Sequence, residues 1–146
     1  ENIDLPFEFP KYAKISMICY LIRKGIQLDH FFNSDIEFDS ICLFFFICFK
    51  KFDAAVELLN LNENVMPFLL SNFSDGTSFV GPNVWIPSLI EFAFYCAANG
   101  IRFESQKWIQ FISMVYDADW PQFITDDQSN FALIRDYMTD LGIEKC

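Results

Sequence analysis

Between Asp39-Ser40 and Lys50-Lys51 the chain runs through Ile41-Cys42-Leu43-Phe44-Phe45-Phe46-Ile47-Cys48-Phe49 without a polar position. A helix here is apolar on every side, and such a helix must be enclosed by other elements. At ~1.5 Å per residue the run reaches about 13 Å, far short of the ~30 Å core of a bilayer, so it is not a membrane span. A second run, Leu89 to Ala98, is broken only by Glu91. These two segments are the expected centre of the fold.

Around them the pattern becomes amphipathic. From Ser105 to Tyr116, a polar stripe of Gln106, Gln110, Ser113 and Asp117 opposes Trp108, Ile109, Phe111, Ile112, Val115 and Tyr116, the mark of a surface helix. Phe131, Ile134, Met138 and Leu141 recur at the same spacing with Asp136 and Asp140 outside. Stops are written alike at Gly25-Ile26, Gly100-Ile101 and Gly142-Ile143, where glycine takes the left-handed position and the next apolar residue folds back.

Starts are also legible. Pro10 suits the first turn of a helix running to Lys24, and Ser34-Asp35-Ile36-Glu37 fits a capping box with Ser34 as the cap. Phe52 to Leu59 favours helix, either separately or continuing the preceding helix through a bend. Asn64 suits a cap with Pro67 in the first turn, Pro87 suits another helix start, and Thr125-Asp126-Asp127-Gln128 is a second capping box. From Phe73 to Asn83 the residues are turn formers, read as one long connection, with a brief strand at Ser78 to Val80 as the other option.

The pattern predicts an all-α domain over residues 1–146, a compact bundle of six or seven helices. Gly25-Ile26-Gln27-Leu28-Asp29 echoes Gly100-Ile101-Arg102-Phe103-Glu104, each between two helices. That echo permits two stacked hairpins of a repeat-like array, although such arrays normally need three or more units.

Composition sharpens this outline. At 146 residues, 53% apolar and with 19 phenylalanines, the chain sustains a core, and any aromatic surplus beyond that core would mark a contact surface. A net charge of -10 disfavours direct nucleic-acid binding. Acid concentrates in the last thirty residues, where Asp117, Asp119, Asp126, Asp127, Asp136, Asp140 and Glu144 face only Arg135 and Lys145. Cys19, Cys42, Cys48, Cys96 and Cys146 form an odd set without a C-x-x-C pair, suiting an intracellular setting, cytoplasmic or nuclear. The start at Glu1, with neither leader nor initiator Met, predicts a domain excised from a longer protein.

Candidate chemistry is sparse. Asp117-Ala118-Asp119 after an apolar run matches the D-x-D of magnesium-dependent phosphate-transferring enzymes, but those place it after a parallel strand and this run is helical. The sole histidine, His30, supplies no zinc site or imidazole pair, and the glycines form no phosphate loop. No catalytic residue, metal or cofactor is therefore predicted. Trp85, Trp108 and Trp120 are candidate interface anchors, with Trp108 equally suited to the core. The expected function is a non-catalytic protein-protein interaction module, using Trp120, Phe123, Asp117, Asp119, Asp126 and Asp127 to hold an amphipathic or basic partner segment in an apolar groove with an acidic rim. The alternatives are an apolar small-molecule or lipid binder with a Phe-lined cavity and, behind it, the phosphate-transferring enzyme using Asp117 and Asp119.

Overall fold

The computed structural model describes the backbone of residues 11–33, 35–72, 80–117 and 128–142, and their side chains except at 11, 12, 82, 115–117 and 128–132. Every α-helix or other regular element among them is helical: α1 (Lys11–Arg23), α2 (Ile36–Cys48), α3 (Phe52–Leu61), α4 (Val65–Asn72), α5 (Pro82–Ala98), α6 (Gln106–Asp117) and α7 (Gln128–Asp140), with a 3-10 turn at Asp29–Phe31. The expectations placed on Pro10, Ser34 as a cap, the Ser78 strand and the Thr125 capping box lie outside the described residues.

α2 is the hub. It packs against α1, α3, α4 and α5, and every residue from Phe38 to Cys48 is buried. Its rings interlock with those around it: Phe44 lies 4.4 Å from the ring of Trp85 and 5.1 Å edge-on to Phe45, while Phe45 stacks on Phe49 at 5.6 Å. The edge-on and stacked pairs are the favoured geometries for aromatic rings and add to their area burial, while the Phe44–Trp85 pair is tilted at 38°. None of the phenylalanines whose side chains are described is exposed. In that part of the chain the phenylalanines are buried or half-buried, and the exposed aromatic is Tyr20.

α5 is the second buried helix, but on one side only. Leu89, Ile90, Phe92, Ala93 and Cys96 are buried, whereas Glu91, Phe94 and Tyr95 are half-buried and Ala98 is exposed. It also starts earlier than the sequence suggests. Pro82 takes the first helical position and Pro87 sits inside the helix, where it removes one backbone hydrogen bond. The Trp85 N–H donates to the Gly81 carbonyl at 3.0 Å, and the wholly buried Trp85 ring holds this added turn against α2.

Other boundaries have clear causes. At Gly25 (φ 76°) the glycine N–H donates to Ile22 O and the Ile26 N–H to Leu21 O, both at 3.0 Å, the paired bonds of a left-handed stop. Gly100 repeats this with Ala97 O and Cys96 O. Lys50 does the same without being glycine: at φ 63° it donates to Ile47 O at 3.1 Å, separating α3 from α2 instead of letting them run on through a bend. The α2 cap is Asp35, whose carboxylate accepts the Glu37 N–H at 3.1 Å. The Glu37 side chain pairs with Lys14 at 2.7 Å.

The glycine echo is real locally, with Leu28 and Phe103 both buried at its fourth position. It does not extend to packing: α1 packs on α2, whereas α6 packs chiefly on α4 and α7. The result is a bundle around α2.

Candidate functional site

α6 packs on α7, and Trp108 and Ile112 of the one and Ile134, Tyr137 and Met138 of the other are buried. A hydrogen-bonded chain fixes them: Trp108 Nε1–H donates to Tyr137 Oη at 3.0 Å, and Tyr137 O–H donates to the Ile101 carbonyl at 2.6 Å. Burial pushes the Tyr137 phenol well above its ordinary range, so it stays a neutral donor. Arg102 adds a bond from Nη1 to the Asp140 carbonyl at 3.1 Å.

Outside this seam, Gln106, Ile109, Gln110, Ser113 and Met114 line an open cleft of ≈ 650 Å³ with Leu141 and Gly142. Met114 is 66% exposed, an apolar side chain in an otherwise polar stripe. Asp136 and Asp140 are exposed on α7. Asp117 is the last residue of α6, so the first aspartate of the D-x-D closes a helix, and its side chain lies outside the described residues. Asp119, Trp120, Phe123, Asp126 and Asp127 also lie outside them, so the structure neither gathers nor separates the predicted contact set.

Two of the three tryptophans are settled. Trp85 and Trp108 are fully buried and are core residues, not surface anchors. Among the described residues no group of three or more His, Cys, Asp or Glu is placed to hold a metal ion. Cys42, Cys48 and Cys96 are buried free thiols whose pKa values burial raises, to about 12 for Cys48. Cys19 is only half-buried. Among the described residues no helix is long and apolar enough to cross a membrane.

Three polar features escape a reading by pattern alone. Lys14 is buried in α1, with Glu37 at 2.7 Å and Asp35 at 3.7 Å. Its position on the line of Ile18 and Leu21, four and seven residues on, was the available signal. Asp39 is fully buried; its Oδ2 accepts the Asn33 N–H at 2.8 Å, and its Oδ1 has no hydrogen-bond partner among the described residues. Burial, reinforced by the charge of Asp35 and opposed by the Asn33 bond, pushes its carboxyl up to about 6. Finally, Lys50 bridges Glu91 at 2.8 Å and donates to Ser88 Oγ at 2.9 Å, while Tyr95 O–H donates to Asp53, tying α5 to the α2–α3 turn and to the first turn of α3.

Comparison of the chain with family models, with curated proteins and with solved structures finds no match in any of the three. The chain is an all-helical bundle whose α6–α7 end carries an open cleft of mixed polar and apolar lining, with Asp136 and Asp140 exposed on α7.

Proposed function

We propose that the domain is a non-catalytic protein-protein interaction module that seats a basic, amphipathic segment of a partner on the α6–α7 end. The observation that carries this reading is the cleft holding Met114, Ile109 and Leu141, with Asp136 and Asp140 exposed on the same helix pair. An amphipathic helix laid there would bury its apolar side on Met114 and set its basic side toward the aspartates. Apolar anchoring supplies most of the affinity in such contacts, and rim charge chiefly sets encounter rate and salt dependence. The alternative of a Phe-lined ligand cavity loses its motive where the rings are described, because they pack against one another.

The test is affinity purification with the chain as bait and mass spectrometry, then direct binding of the recovered partner to the purified chain. Met114→Asp, Trp120→Ala and Phe123→Ala are each expected to weaken binding by about thirtyfold, the effect of losing an anchor of ~2 kcal/mol. A partner that binds the domain but ignores all three substitutions would leave the module standing and refute this surface. A domain that binds no recovered protein would refute the module itself.

A further inference from the structure

The turn that brings the chain back from α1 to α2 is fastened from inside α2. Leu28 is buried, Phe31 sets its ring edge-on to Phe38 at 6.1 Å, and the Phe32 ring lies 6.4 Å from Phe38 and 6.2 Å from Phe46. The Phe31 and Phe32 N–H groups donate within the turn, to Leu28 O and Asp29 O. The hydrogen bond that ties the turn to α2 runs from the Asn33 N–H to Asp39 Oδ2 at 2.8 Å, with Asn33 in the left-handed region at φ 69°. Asp39 is fully buried, and its Oδ1 has no hydrogen-bond partner among the described residues. A neutral carboxyl tolerates that setting, whereas an ionised one is a buried charge with one hydrogen bond and no cation to offset it. The elements packed on α2 supply none. Lys14 of α1 is held by Glu37 and Asp35, and Arg23 bonds Cys19; Asp53 of α3 accepts from Tyr95, and Glu57 is exposed; α4 carries no charged residue; Glu91 of α5 pairs with Lys50. Asp35, one turn earlier on α2, adds a like charge, Cys42 is a buried neutral thiol, and Asp29 and His30 of the turn are exposed. Burial foremost, then Asp35, pushes the Asp39 carboxyl up to about 6 against the pull of the Asn33 bond.

We propose that Asp39 is a pH-operated latch on residues 28–33: protonated, it keeps the turn closed over Phe38 and Phe46, and ionised, it lets the turn lift and bare those rings while residues 40–48 stay enclosed. Lifting brings water to the carboxylate, which relieves the cost of its burial. It also widens the open cleft of ≈ 290 Å³ that Leu28, Asp29 and Phe32 line against Phe46 and Ala54. The closed turn holds the proton more tightly than the lifted one, whose carboxyl returns to the ordinary range of about 4. The latch is therefore firmest below about pH 4, where both states are protonated, and loosens as pH rises through about 6; above that both are ionised and the opening is constant. The device is local, since α2 keeps its contacts with α3, α4 and α5 whether or not the turn is down.

Hydrogen exchange of the whole chain, resolved by NMR between pH 5 and pH 7, tests the latch. The Phe31, Phe32 and Asn33 amides, each rate divided by its intrinsic rate, are expected to open about tenfold more often at pH 7 than at pH 5. Small additions of urea are expected to leave that opening unchanged while they speed exchange in α2, as a local event requires. Asp39→Asn is expected to abolish the pH dependence. His30→Gln is expected to preserve it, although it removes from the turn the side-chain type whose charge ordinarily changes between pH 5 and 8. Turn amides that exchange no faster than those of α2 and share their urea sensitivity overturn the proposal, because the turn then opens only with the whole domain. A pH dependence that survives Asp39→Asn, or vanishes with His30→Gln, overturns it as well. The carboxyl resonance of Asp39 decides without any variant: a midpoint of about 6 is expected, and one in the ordinary range of about 4 rules the latch out.

Discussion

α2 and α5 look alike as sequence and differ as structure. Both are apolar runs, yet α2 is enclosed on every side and α5 keeps a half-exposed side where Glu91 meets Lys50 and Tyr95 meets Asp53. Apolarity therefore shows that a helix needs cover, but the number of neighbours decides how much it receives. α2 has four principal neighbours, α1, α3, α4 and α5; α5 has two, α2 and α7.

The largest expected effect separates the two helices. Phe45→Ala in α2, at 0% exposure, should cost about 3–5 kcal/mol in urea unfolding, because it opens a cavity on which several rings close. Phe94→Ala, on the half-buried side of α5, should cost about 1 kcal/mol. Equal costs would break the comparison.

Asp39 sharpens it, as a carboxylate inside the enclosed helix. Burial raises its folded pKa to about 6, above the ordinary carboxylate range, so the folded state holds the proton more tightly. Its contribution is therefore most favourable below pH 4 and is lost as pH rises from 4 to 6, by at most about 3 kcal/mol. Asp39→Asn should accordingly gain stability relative to the parent as pH rises from 4 to 7, read as a growing difference in urea midpoint. A difference that stays flat with pH would show that this carboxyl ionises freely.

The smallest effect concerns the stops. Gly25→Ala should cost about 1 kcal/mol, since alanine is strained at φ 76°, whereas Lys50→Gly should lose only a few tenths, because relief at φ 63° offsets most of the loss of its half-exposed pair with Glu91 and its bond to Ser88. Thermal midpoints check both signs.

These contrasts also mark what the sequence makes legible. The α2 core was readable because nine positions offer no polar side, and the stops at Gly25 and Gly100 because glycine announces its conformation. Lys50 was not, since a lysine at positive φ carries no local sign, and neither was the start of α5, where the burial of Trp85 outweighs the cost of Pro87. Lys14 and Asp39 carry no sign of burial in their own identity, since a charged residue favours water, and only the register of α1 and α2 places both inside. Of the candidate contact set, Asp117 is placed on its helix, and the remaining members belong to 118–127, outside the described residues.

Native-state hydrogen exchange tests the central claim, that α2 is the enclosed hub, most directly. Amides from Ser40 to Cys48 should exchange only through global unfolding, with the highest protection in the chain, while α1 and α7 open at lower free energy because each rests on fewer neighbours. Protection in α2 equal to or below that of α1 or α7 would contradict the account.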